Sequence, residues 1–157
     1  MTSSVRSLLA LLLVLGLAVS AGSASAELTP WDQAKVSILA KDLVTAAQAL
    51  QDTFQSQPPP MTGSGQSRDY YRLKQIVRHL RQEATQLSGD LEKGAGMEET
   101  LASYEDLMMS VRDAREVGAR IFATQGIKDK AATARAILNQ LSPYYDPDAV
   151  PLTPVQR

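Results

Sequence analysis

The stretch SRDYYRLKQIVRHLRQEATQLSGDLEK, residues 67–93, decides the fold. Leu73, Val77, Leu80, Ala84, Leu87 and Leu91 recur in it at three- and four-residue steps, with Ile76 beside them. That spacing is the seam of a long helix that buries one stripe against other helices. Gly94-Ala95-Gly96 follows and ends it, since glycine accepts the left-handed backbone that closes helices.

Working outward, the same periodicity returns on both sides. Thr29-Pro30-Trp31-Asp32 reads as a helix start, with Thr29 as cap and Pro30 at the first helical position. Val36, Leu39, Leu43, Ala46, Ala47, Leu50 and Phe54 then form one stripe, which Gln57-Pro58-Pro59-Pro60 stops. A flexible connection runs to Ser67. A third helix is expected over about 97–124, burying Leu101, Tyr104, Met108, Val111, Gly118 and Phe122 with help from Leu107, Ala114 and Ile121. Gly126 breaks that pattern. A shorter, alanine-rich fourth helix over about 127–141 carries Ile127, Ala131, Ala134, Leu138 and Leu141 on one side. Pro143, Pro147, Pro151 and Pro154 leave a proline-rich, irregular tail over 143–157. Four amphipathic stripes, none stable alone in water, imply an all-α antiparallel four-helix bundle over 27–142.

The N-terminus reads as a targeting segment. Arg6 is followed by a twelve-residue apolar run, Leu8 to Val19, and then by small residues ending in Ala24-Ser25-Ala26. This is the layout of a signal peptide cleaved after Ala26, and the run is shorter than the ~20 residues of a membrane-spanning helix. Glu27 becomes the new N-terminus. With Arg6 gone, 15 basic side chains face 17 acidic ones, a formal charge of −2. The expected location is periplasmic or secreted, with no stable membrane span after cleavage.

Composition narrows the chemistry. The chain has 157 residues, room for one ordinary domain, and 44% of them are hydrophobic and 21% charged, as in globular proteins. Sixteen Lys and Arg balance 17 Asp and Glu, so no global field draws the chain to nucleic acid. Cysteine is absent, which removes disulfides, thiolate metal sites, thiol catalysis and a lipoprotein anchor.

The candidate site residues are few. His79 is the only histidine and falls off the buried stripe of its helix, so neither a metal set nor a nucleophilic triad can be assembled around it. No catalytic, cofactor-binding or metal-binding residue is expected. Between residues 68 and 81 stand five basic side chains and one acid. Arg68, Tyr71, Arg72, Lys74, Arg78 and Arg81 are therefore the candidate contacts for an anion or an acidic partner, against the simpler reading of a solvated face balanced by the acidic third helix. Arg115 falls where the third helix's stripe calls for a hydrophobe, so this seam cation must reach outward or meet a carboxylate. Met108 reads as core filler rather than a metal ligand.

Two function classes follow. The first is a non-enzymatic exported helical-bundle protein, a periplasmic binding or interaction module whose partner is a protein or another envelope component. The second is a haem or small-ligand carrier. In length, export and helix number the chain resembles the cytochrome b562 family, a resemblance that implies a helical bundle holding haem. The haem ligands it implies, a methionine near the start of the first helix and a histidine in the last, have no counterparts here. No cofactor is assigned.

Overall fold

The computed structural model describes residues 28–58 and 66–154. The expected signal segment, residues 1–26, lies outside them, as do connection residues 59–65 and the last three residues of the tail. Among the described residues there are four helices and no strand, so the all-α reading holds. No described helix is long and apolar enough to cross a membrane.

Helix α1, Gln33–Ser56, starts a few residues later than Thr29-Pro30 suggests. Asp32 is the cap, its Oδ1 accepting from the Lys35 amide at 3.0 Å. Thr29 and Trp31 serve a different end. The Thr29 amide donates to the Pro143 carbonyl at 3.0 Å, and the Trp31 ring meets Tyr144 and Tyr145 edge-on at 6.4 and 5.5 Å. The segment before α1 is thus strapped to the chain after α4.

Helix α2, Ser67–Glu92, buries its expected seam, and Tyr70 joins it by donating to the Phe54 carbonyl at 3.1 Å. Gly94 follows at φ 92°, a conformation that costs side-chain-bearing residues strain. Helix α3, Met97–Gly118, departs from the sequence reading in two ways. Its buried residues are Thr100, Tyr104, Leu107, Ser110, Val111 and Val117, a stripe turned by about one residue from the expected one. It also ends six residues early. The start of α2 holds the turn that follows: Gln66 Oε1 accepts from the Phe122 amide at 3.2 Å, and Asp69 pairs with Arg120 at 3.2 Å. Phe122, expected inside, is consequently 79% exposed.

Helix α4, Gln125–Leu141, is capped by Thr124, whose hydroxyl accepts from the Ile127 amide and donates to Gln57 Oε1 at 2.8 Å. Gly126 sits in its first turn rather than ahead of it. A short 3-10 turn, Ser142–Tyr144, continues from α4, and the chain then stays on the helices. Asn139 accepts from the Leu152 amide at 2.7 Å and donates to its carbonyl at 3.3 Å.

The helices pack in the order α4, α1, α2, α3. Phe54 with Tyr70, Gln48 with Arg81 and Lys41 with Glu92 show α1 and α2 running in opposite directions. Between α3 and α4 there is no comparable helix–helix contact. The apolar interior forms two clusters. The larger joins Val36, Leu43, Leu87, Leu107, Leu141 and their neighbours to Tyr104, Tyr144 and Tyr145. The smaller gathers Leu50, Phe54, Tyr70, Leu73, Val77, Val117, Ile121 and Ile127 at the other end.

Leu87 is fully buried in the larger cluster, whereas His79 is exposed on the same helix. Leu87→Ala should cost about 2–5 kcal/mol through lost burial and the cavity left behind. His79→Ala should stay within about 0.5 kcal/mol. Urea unfolding of the two variants checks the difference.

Candidate functional site

The exposed positions of α2 between residues 67 and 86 are Arg68, Tyr71, Arg72, Gln75, Arg78, His79, Gln82, Thr85 and Gln86. They form one solvent-facing strip because the seam residues fix the opposite side of the helix, at ~100° per residue. The strip contains no carboxylate. Four of the six basic-stretch candidates, Arg68, Tyr71, Arg72 and Arg78, stand on it together. The other two do not. Arg81 turns toward α1, where its guanidinium donates to Gln48 Oε1 at 2.7 Å, and Lys74 is half-buried on the same flank.

The charge balance expected between α2 and α3 is not how the ion pairs fall. Across helices, the described pairs are Lys41 with Glu92 and Arg120 with Asp69, so α2 supplies the carboxylates in both. No described carboxylate pairs with Arg68, Arg72, Lys74 or Arg78. Tyr71, 53% exposed, meets Tyr70 edge-on at 5.8 Å, which fixes its ring beside the cations.

At the edge of the strip, His79 Nε2 lies 3.2 Å from Glu83 Oε1. Glu83 points to the α3 side, and its Oε2 is buried without a partner. Burial pushes its carboxyl above the ordinary range, and Asp106 adds to this, while Ser110 and His79 act the other way.

Arg115 lies at a second feature, the open side between α3 and α4. The seam of α3 passes through Val111, Ala114 and Gly118, so Arg115 stands beside it, solvent-exposed, its guanidinium 3.5 Å from the Thr153 carbonyl. It lines a cleft of about 620 Å³ whose floor is Leu50, Phe54, Leu73, Val77 and Leu80 from α1 and α2. Its walls are small: Ala114 and Gly118 on one side, Ala131, Ala132 and Ala134 on the other. Lys128 and Arg135 of α4 border it with Arg115, and Leu152, Thr153 and Pro154 cross its edge. Among the described residues, no histidine, methionine or cysteine lines it. Met108 and Met97 instead pack against the larger core cluster. Among the described residues, no three His, Cys, Asp or Glu side chains converge as a metal site requires.

The sequence reading missed Lys128 and Arg135. The available signal was the alanine content of α4, because short side chains leave unfilled any space that a neighbouring helix does not close. Comparison with protein-family models, curated proteins and solved structures returned no match. The reading therefore rests on this chain's own geometry.

Because Glu83 binds its proton more tightly folded than unfolded, it lowers stability as pH rises from its unfolded value through its raised folded one. Glu83→Gln removes that slope. Urea midpoints measured from pH 4 to pH 7 should show the variant gaining on the wild type as pH increases.

Proposed function

We propose that the chain is exported after loss of residues 1–26 and works as a non-enzymatic, antiparallel four-helix bundle that docks an acidic surface of an envelope protein. The observation that carries this reading is the carboxylate-free strip of α2, where Arg68, Arg72 and Arg78 flank an exposed Tyr71. Arginine and tyrosine dominate the energetics of protein interfaces because both offer large rigid contact area with a polar end. The strip is local: the chain after loss of residues 1–26, with 15 basic and 17 acidic side chains, carries a formal charge of −2, so the attraction belongs to this face and not to the molecule at large. Ordered pairing of Tyr71 with Tyr70 supports a prearranged contact, which lowers the entropy cost of binding. The carrier reading has separate support in the open α3–α4 cleft, although that cleft offers haem none of its usual axial ligands.

A photo-crosslinking residue at Gln75, expressed in the native host, tests the docking face. It should trap an acidic envelope protein, and Arg72→Glu with Arg78→Glu should abolish the product. The same probe at Thr133, exposed on α4, should give none. An unchanged product in the charge-reversed variant would overturn the reading.

A further inference from the structure

The cleft between α3 and α4 is a second place where this molecule can hold something, and none of the α2 strip residues lines it. Its floor is hydrocarbon: Leu50, Phe54, Leu73, Val77 and Leu80 offer neither donor nor acceptor. Whatever part of an occupant reaches that floor must itself be apolar, since a buried polar group without a partner costs roughly 1–3 kcal/mol. An extended polypeptide segment would bring an amide at every residue and leave its backbone unsatisfied there. An alkyl chain brings none.

The border of the cleft has the opposite character. Arg115 approaches from α3, and Lys128 and Arg135 approach from α4, two turns apart on one face. None of the three has an ion-pair partner among the described residues. The one described acid at the border, Asp129, already accepts from Gln125 Nε2 at 2.7 Å. Three cations without a described ion-pair partner, around a hydrocarbon floor, favour an anion at one end of the occupant. At about 620 Å³ the space falls within the ~300–1,000 Å³ typical of small-ligand sites.

We infer that the α3–α4 cleft binds a single-chain fatty carboxylate, its alkyl chain on the floor and its head group against Arg115, Lys128 and Arg135. The carboxylate meets the guanidiniums in charge-assisted hydrogen bonds, which are stronger than neutral ones and favour arginine. Thr153, whose carbonyl now faces Arg115 at 3.5 Å, lies beside the head-group position. This inference rests on the carrier reading and is independent of docking at α2.

The test is displacement of the neutral fluorophore N-phenyl-1-naphthylamine by laurate, 1-dodecanol and dodecyltrimethylammonium at pH 8. Laurate should bind at least tenfold more tightly than the alcohol, and the cation should be weakest. Arg115→Gln, Lys128→Gln and Arg135→Gln together should bring laurate to the alcohol's level. Ala131→Phe, which fills the cleft from α4, should abolish binding of all of them while the helical circular dichroism persists. Equal binding of laurate and alcohol, or a laurate preference that survives the triple substitution, would overturn the anionic head group while leaving a cleft for neutral ligands. Fluorophore binding absent, or indifferent to Ala131→Phe, would overturn the carrier reading itself. A concentration-dependent dimer in sedimentation velocity, broken by Phe122→Ser, would show the cleft covered by a second copy and overturn both.

Discussion

The contact on which the arrangement of helices depends is Tyr145 against Tyr104. Their rings stack at 4.2 Å and within 8° of parallel, and the Tyr145 hydroxyl lies 2.9 Å from that of fully buried Thr100. Burial raises both phenols above their ordinary range, as expected for hydroxyls held away from water. Trp31 closes the cluster edge-on. One side chain from the segment after α4 thereby joins the strap before α1 to the first half of α3. At the far end only the turn of residues 119–124 connects α3 and α4, and the cleft lies between the aromatic layer and that turn.

Helix α2 was legible because its seam admits a single solution: no other set of positions in residues 67–93 gives as many apolar side chains on one face. Helix α3 offers two overlapping stripes that share Tyr104 and Val111. The sequence favours the one with Leu101 and Met108; the structure buries Thr100 and Leu107 instead. Thr100 is acceptable in the interior because its hydroxyl donates to the Gly96 carbonyl one turn back at 2.7 Å and also meets the Tyr145 hydroxyl from 45 residues away, a second partner that no local pattern announces. The expectation of a seam cation at Arg115 came from the displaced stripe. Once the seam runs through Ala114 and Gly118, the arginine has no core position to explain.

The basic stretch was visible in the sequence, but its division was not. Helical spacing assigns faces only after the neighbours are known, and α1 claims Arg81 through Gln48. The cleft depends wholly on neighbour order. Of the alanines of α4 that look like core residues in sequence, Ala134 is buried in the larger cluster and Ala131 packs in part against the smaller one. With α4 on α1 and α3 on α2, they line a gap. The basic face is solvated, as its sequence reads, but without the α3 partners expected for it, and the alanine stripe borders a gap through topology rather than composition.

The division of the apolar interior into two clusters carries a thermodynamic consequence. A single contiguous core unfolds as one unit, because each side chain loses its contacts when its neighbours do. Here the larger cluster is tied by the aromatic layer, whereas the smaller one is separated from it along the α3–α4 side by the cleft. The end of the molecule formed by Phe54, Tyr70, Ile121 and Ile127 therefore opens at a lower free energy than the end holding Leu87 and Tyr145. Amide protons in the last turn of α1 and the first turns of α2 and α4 exchange through that partial opening, while those near the aromatic layer wait for global unfolding.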